Sequence, residues 1–213
     1  MVTQTAYQKE RVTGFTDGIF AFAVTLLVLN LMDISIPAGK ESLIPVFREN
    51  ISALLTFAIT FFIIARFWMA HNRLFALIRE FDAGIIKLNN TLLFFITVFP
   101  FAASILGTHM DNRDAVILYA GCFAMVGILQ FFIGRHAYLH HLLHESDTEE
   151  RHFIKVFTSF TLSTPVVFII SIFVAFFSAG LAELLWIVLL FLKMGFRGYY
   201  ENNRSAEAEI NKL

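Results

Sequence analysis

The sequence has little cysteine and almost no net charge, and each shortage excludes a class of protein. Its single cysteine, Cys122, lies in an apolar run, so neither a disulfide framework nor a cysteine-based metal site is expected. The 213 residues carry a formal net charge of −1, which gives no indication of a nucleic-acid partner. No small-x-small cleavage motif follows the first apolar run, so we expect that run to remain as a helix and not to be removed as a signal peptide.

Apolar side chains are what the sequence has in abundance. They form 57% of the chain, 26 residues are Phe, and the mean hydropathy is +0.69, whereas soluble domains are about 45–50% apolar. This composition predicts an all-α integral membrane protein. A bilayer-spanning helix needs about 20 mainly apolar residues. With that criterion the chain contains one six-helix domain over residues 1–213, without internal repeats, with helices near 12–32, 50–71, 86–107, 115–134, 153–178 and 181–196 and a polar tail at 204–213.

Positive charge is distributed unequally between the two sides of this predicted bundle. Twelve of the 16 Lys and Arg residues fall on the side that carries both termini, and only Lys40, Arg48 and Arg113 fall on the other. Cytoplasmic loops retain positive charge. Both termini are therefore predicted to be cytoplasmic.

The first predicted helix has an apolar stripe and a carboxylate that points elsewhere. At about 100° per residue, Phe22, Leu26 and Leu29 fall within a stripe roughly 60° wide, with Gly18 one turn earlier. Such a stripe is also compatible with contact to lipid or to neighbouring helices. Asp17 lies about 140° away from Phe22, on the side that faces the protein, where an ionisable group is costly unless it is paired.

The second predicted helix offers partners for this polar end. Trp68, His71 and Asn72 share one face near its inner end. Because the first helix enters from the cytoplasm and the second returns to it, these side chains lie at the depth of Thr16 and Asp17. An indole N–H, an imidazole and an amide can together satisfy a hydroxyl and a carboxylate. Alternatively, the three residues are interfacial side chains of an aromatic belt.

These two clusters resemble the signature of a known family. The order Arg11-x-x-x-Phe15-Thr16-Asp17-Gly18, followed by Trp68-x-x-His71-Asn72, is similar to bacterial members of the transmembrane protein 175 (TMEM175) family, whose motif is R-x-x-x-F-S-D-G. The resemblance implies a homotetramer in the bacterial inner membrane, with the first helix lining a central pore on the fourfold axis. It implies a potassium-preferring cation channel that is not an enzyme, holds no metal or other cofactor, and interacts with itself, lipid and permeating K⁺. The carbonyl filter of other K⁺ channels is absent from the family, and no TVGYG-like loop occurs here.

The resemblance also assigns pore positions. It implies a constriction at Phe22, outer apolar rings at Leu26 and Leu29, and a selectivity-related hydroxyl at Thr25. Phe22 replaces the aliphatic residue usual in the family. A slightly rotated helix would instead turn Ala21 or Thr25 to the axis.

Three further residues complete the sequence-based site. Thr16 replaces the usual Ser and keeps its hydroxyl. We expect Gly18 and Asp33 to lie at the mouths of the pore.

Two other functional classes are compatible with a small helical membrane protein. A secondary transporter usually shows inverted repeats or charges at midplane, and this midplane is nearly free of charge. An enzyme would require paired ionisable groups inside the bundle. The residues His136, His140 and His144 recur every four positions outside it, a spacing that suits Zn²⁺ binding, pH sensing or a solvated face.

Overall fold

The computed structural model describes residues 4–32, 34–35, 42–143 and 164–186. The helices in chain order are α1 (Gln4–Leu26), α2 (Ile44–Glu49), α3 (Ile51–Leu77), α4 (Ala83–Thr108), α5 (Arg113–Leu139), α6 (Thr164–Ala175) and α7 (179–186). A five-residue 3-10 segment, Leu27–Leu31, continues α1. Four spans, Gln8–Leu31, Ile51–Leu77, Ala83–Thr108 and Arg113–Leu139, are long and apolar enough to cross a bilayer. The described residues therefore form an all-helical membrane protein.

Several helix bounds differ from those expected from the apolar runs. The first helix begins at Gln4 instead of near residue 12, the second continues to Leu77, and the fourth runs from Arg113 to Leu139. The length of an apolar run gives only the part of a helix that lies in hydrocarbon. These helices are longer than the runs because their backbone hydrogen bonds continue beyond the apolar residues. The short α2 was not predicted. Parts of the fifth and sixth predicted helices, 153–163 and 187–196, and the tail 204–213 lie outside the described residues.

Side-chain caps fix two of the helix starts. The Asp82 carboxylate accepts the backbone N–H of Ile85 at 2.7 Å and begins α4. Asn112 accepts the backbone N–H of Asp114 at 2.8 Å and begins α5. Because the first N–H groups of a helix have no partner within it, these two residues define where the loops end.

The core lies between α3, α4 and α5, and α4 and α5 form the most extensive helix pair. The Phe123 ring stacks on Phe67 with centroids 5.8 Å apart and packs against Phe99 at 4.1 Å. Beside this cluster the buried Tyr119 hydroxyl is hydrogen-bonded to the Thr60 hydroxyl at 2.8 Å. Apolar packing thus holds these three helices together, and the one hydroxyl pair beside the cluster is satisfied internally.

α1 lies at the edge of this bundle. In the most apolar 18-residue window of each helix, 22% of the α1 window is buried, compared with 61% for α5. α1 packs mainly on α4 and also on α3. Much of its surface is consequently left without contacts inside one chain.

Candidate functional site on the first helix

The uncovered surface of α1 is a continuous stripe along the helix. Its large apolar side chains include Phe15, Phe22 and Leu29, which are 59%, 58% and 49% exposed. The opposite face is buried against α3 and α4 and consists of Thr16, Phe20, Ala23 and Leu27. The stripe continues for the whole membrane span because exposed positions recur every three or four residues, at 11, 14, 15, 18, 21, 22, 25, 28, 29 and 32.

Most of the predicted pore positions lie on this stripe. Gly18, Phe22, Thr25 and Leu29 are exposed, while Leu26 is half-buried. A Cβ built on Gly18 would meet no heavy atom within 4 Å, so the surface there is open. The Thr25 hydroxyl donates to the Phe22 carbonyl at 2.8 Å, which leaves its oxygen lone pairs directed outward from the helix. Asp33 lies outside the described residues.

The carboxylate of Asp17 is held by two residues of α3. The Trp68 indole Nε1–H donates to Asp17 Oδ1 at 2.8 Å. With its amide oxygen facing the indole, Asn72 accepts from Trp68 Nε1 at 3.0 Å and donates to Asp17 Oδ1 at 3.2 Å. These bonds satisfy a carboxylate that would otherwise be costly inside a membrane span.

A second, fully buried chain of hydrogen bonds crosses three helices beside this group. Asn89 of α4 accepts from His71 Nε2 at 2.9 Å and donates through Nδ2 to the Thr16 hydroxyl at 2.8 Å. The Thr16 hydroxyl donates in turn to the Val12 carbonyl at 2.8 Å. His71 is completely buried, and its ring packs on Phe75 with centroids 3.9 Å apart. His71 therefore does not bond the carboxylate; it joins α3 to α1 through α4.

Asn89 was missed by the reasoning from sequence, which looked for partners only on the first two helices. Its signal is the pair Asn89-Asn90 within an otherwise apolar helix, because an amide in hydrocarbon requires a partner. Of the remaining motif residues, Arg11 and Phe15 are exposed and lie near the N-terminal end of the stripe. The motif thus divides between two faces of α1, with Thr16 and Asp17 directed into the bundle.

The histidines near the end of α5 form a separate group. His136 Nε2 is 2.8 Å from Asp82 Oδ2, and the His136 and His140 rings stack with centroids 4.0 Å apart. Burial acts to raise the pKa of Asp82, but the hydrogen bonds from His136 and the Ile85 N–H, together with the charges of His136 and His140, hold that pKa below its ordinary value. Among the described residues no three His, Cys, Asp or Glu side chains are placed to hold a metal ion, and His144 lies outside them.

The residues that follow α5 also bind the loop between α3 and α4, at the end of the bundle that carries the start of α1. An antiparallel bridge joins Ile78 to Leu143, and the Arg79 N–H donates to the Leu142 carbonyl at 2.7 Å. The Lys9 ammonium of α1 donates to the Ile78 carbonyl. The loop between α3 and α4 is thereby tied to both α1 and the end of α5.

The helical bundle, to which the hydrogen bonds of Thr16 and Asp17 fix α1, defines a multi-pass membrane protein, and comparison with known proteins shows which family it resembles. Residues 11–100 match the family model described as endosomal/lysosomal potassium channel TMEM175. A potassium channel of Chamaesiphon minutus is 32% identical over 138 residues, which are 60% of this chain and 64% of that protein. The endosomal/lysosomal proton channel TMEM175 of Danio rerio is 24% identical over 197 residues, 86% of this chain and 36% of that protein.

Solved structures have the same fold. The crystal structure of a lysosomal potassium-selective channel TMEM175 homolog from Chamaesiphon minutus superposes with a TM-score of 0.75 at 26% identity, over 90% of this chain and 98% of that one. A variant of the potassium channel MtTMEM175 gives a TM-score of 0.63 at 19% identity, over 90% of this chain and 93% of that one. In sequence and in fold the chain therefore resembles the TMEM175 family. It spans about a quarter to two thirds of the length of the curated relatives it matches.

Proposed function

We propose that four copies of this chain assemble in the bacterial inner membrane, with both termini cytoplasmic, as a potassium-preferring cation channel. The observation that carries this proposal is the exposed stripe of α1, which runs the length of a membrane span while the opposite face is fixed to the bundle. Turned toward a fourfold axis, the four stripes would line a pore. The relatives named as potassium channels support the choice of ion.

In this channel Phe22 forms the narrowest apolar ring. Its side chain is 58% exposed on the stripe, and four such rings would surround the axis. An ion that crosses an apolar constriction loses part of its water without receiving ligands in exchange. K⁺ holds its water less tightly than Na⁺, so this cost favours K⁺. The phenyl faces carry negative quadrupole density, which attracts a cation and offsets part of the cost.

The remaining pore positions act outside the constriction. Thr25 presents its hydroxyl oxygen to a partly dehydrated ion, and Leu26 and Leu29 form the outer apolar rings. Gly18 leaves space at the inner mouth, and Asp33 concentrates cations at the outer one. The network of Asp17, Trp68, Asn72, His71 and Thr16, extended through Asn89, holds α1 in place and does not contact the ions.

Reconstitution tests the assembly and the pore together. Native mass spectrometry of detergent-extracted protein should give four chains, and liposomes containing it should show an electrogenic K⁺ flux that is larger than the Na⁺ flux. A stable monomer or dimer would remove the central pore. Electrically silent, substrate-coupled flux would instead indicate a transporter. Because the relative from Danio rerio is named a proton channel, flux driven by a pH gradient is measured in the same vesicles.

Replacing the constriction residue gives the sharper test. Phe22→Ala should raise K⁺ flux and lower the K⁺/Na⁺ ratio, because both ions would pass with more of their water. Phe173→Ala is the matched control, since Phe173 of α6 is 66% exposed but lies far from α1 in the sequence and on another helix. An unchanged ratio and conductance in a tetrameric Phe22→Ala variant would place the constriction elsewhere on α1.

A further inference from the structure

One carboxyl oxygen of α7 is buried without a partner. The Oε1 atom of Glu183 is enclosed by protein and accepts no hydrogen bond from any described residue. The helix that carries it is well packed, because Ala182 and Trp186 beside it are buried and the Trp186 Nε1–H donates to the Ser171 hydroxyl of α6 at 2.9 Å. A buried carboxylate oxygen without a donor is costly.

The nearest hydroxyl groups have no hydrogen to give to a carboxylate. Tyr119 of α5 packs on Trp186 with ring centroids 4.9 Å apart, and it lies within range of the Glu183 charge. Its hydroxyl is 2.8 Å from the Thr60 hydroxyl, and Thr60 donates its one hydrogen to the Thr56 carbonyl at 2.6 Å. Tyr119 is therefore the donor to Thr60. The Tyr119 oxygen keeps a free lone pair, so it can accept a hydrogen bond from a carboxylic acid.

The charged groups around Glu183 do not offset a negative charge on it. In the part of the chain that the structure describes, no Lys, Arg or His side chain forms an ion pair with Glu183. Asp111, in the loop between α4 and α5, adds a like charge that acts against its ionisation. Arg113 at the start of α5 pairs with Asp114 at 3.1 Å and lies over the Phe176 ring, 5.2 Å from its centroid.

The other elements near this site add no counter-charge. His109, which follows α4, has its Nδ1 atom 2.7 Å from the Thr108 hydroxyl. Neither α6 nor residues 51–65 of α3 contain an acidic or basic side chain. Burial and a neighbouring like charge both favour the neutral form of a carboxyl group.

We propose that Glu183 is a reversible proton-binding site and that its protonation holds α7 on α5. The neutral carboxyl carries a hydrogen that the Tyr119 oxygen can accept, whereas the ionised carboxylate has neither a donor nor a cation. The site lies where α4 ends and α5 begins, which is the outer side in the proposed orientation. It is separate from the stripe of α1, so it goes beyond the proposed pore and does not depend on it.

Carbodiimide labelling tests the protonation of Glu183. Dicyclohexylcarbodiimide enters the bilayer and reacts with a neutral carboxyl: the proton moves to a carbodiimide nitrogen, the carboxylate oxygen adds to the central carbon, and the adduct rearranges to a stable N-acylurea. The full chain is labelled in proteoliposomes, and the peptide that contains Glu183 is measured by mass spectrometry. Its labelling rate should change less than about twofold between about pH 5 and pH 6, and should fall more than about tenfold by about pH 8.5. A Glu side chain in water loses about eightfold of its protonated fraction between pH 5 and pH 6, and a loss of that size at Glu183 would overturn the proposal.

Two substitutions test the influence of Asp111. Asp111→Asn removes the like charge and should lower the labelling rate of Glu183 at about pH 7 by at least about twofold. Glu80→Gln, which removes an exposed carboxyl at the other end of the bundle, should leave that rate unchanged. Equal rates in the two variants would overturn the part assigned to Asp111.

Unfolding by SDS tests whether protonation holds α7. Unfolding exposes Glu183 to water, where it releases its proton at lower pH than in the folded site, so the stability that the site contributes is lost as the pH rises. Glu183→Gln resembles the neutral acid and cannot ionise. This variant should therefore unfold at a higher SDS fraction than the unsubstituted chain at about pH 8.5, and the difference should shrink as the pH is lowered. A difference that is constant with pH, or that grows as the pH falls, would overturn the effect on α7.

Discussion

Asn89 gives the most direct test of how α1 is held, because it is the one side chain that joins all three helices of the buried chain. Asn89→Leu removes the acceptor of His71 Nε2 and the donor to the Thr16 hydroxyl. Asn89 and His71 are both fully buried, so water cannot replace the lost partners. Thr16 keeps its own bond to the Val12 carbonyl, so the larger loss falls on His71.

The expected loss in free energy of unfolding follows from the number of buried hydrogen-bonding groups that Asn89→Leu leaves without a partner. A buried donor without an acceptor costs about 1–3 kcal/mol, while hydrogen bonds between membrane helices contribute about 0.6 kcal/mol on average and up to about 1.7. With one orphaned imidazole N–H and one weakened hydroxyl, we expect Asn89→Leu to lower the free energy of unfolding by about 2–3 kcal/mol. His71→Leu should cost a similar amount, because it leaves the Asn89 oxygen without a donor.

A double-mutant cycle isolates the interaction between His71 and Asn89. The variant carrying both His71→Leu and Asn89→Leu has no orphaned partner, so its loss should be smaller than the sum of the single losses by about 1–2 kcal/mol. Unfolding of purified protein by SDS in mixed micelles gives these free energies. Asn90→Leu, the exposed neighbour, should change stability by no more than about 0.5 kcal/mol. Additivity within about 0.5 kcal/mol would refute a shared hydrogen bond as the origin of the loss.

Two other contacts give simpler predictions. Trp68→Phe removes the indole donor to Asp17 and should cost about 1 kcal/mol in the same SDS titration, without changing the K⁺/Na⁺ ratio; a changed ratio would place Asp17 in the pore. Gly84→Ala would put a Cβ 2.4 Å from His136 Cε1 and should destabilise by about 1–3 kcal/mol. Gly121→Ala meets no heavy atom within 4 Å and should be neutral or stabilising by up to about 1 kcal/mol; equal losses for the two glycines would exclude the His136 contact as the cause.

The sequence was sufficient to predict a helical membrane protein and to place Asp17 and Trp68 at one depth on adjacent helices. Hydropathy and helical periodicity were enough for both predictions, because these two patterns depend on residues close together in the chain. The structure has these two side chains 2.8 Å apart.

The partner of His71 could not be predicted in the same way. Which side chain of α4 reaches it depends on how that helix crosses α3, and this is set by packing around Phe67, Phe99 and Phe123. The 3-10 winding after Leu26 is equally a tertiary effect. The run Leu27–Leu31 reads as an ordinary apolar helix, and its contact to Pro100 joins residues 70 positions apart.

The hydrogen bonds that hold Thr16 and Asp17 of α1 also determine the order in which the helices reach their final positions during synthesis. α1 leaves the ribosome before α3 and α4, so the donor for Asp17 lies 51 residues later and the donor for Thr16 lies 73 residues later. At a synthesis rate of about 5–20 residues per second, the second donor follows roughly 4 to 15 s after Thr16. At the same rate Trp68 follows Asp17 by roughly 2.5 to 10 s. Until then the Asp17 carboxylate has none of its later partners, and its cost in hydrocarbon keeps this end of the helix near the headgroups. Of these three helices, α1 is therefore synthesised first and reaches its final position last, and α3 and α4 form the surface on which it docks.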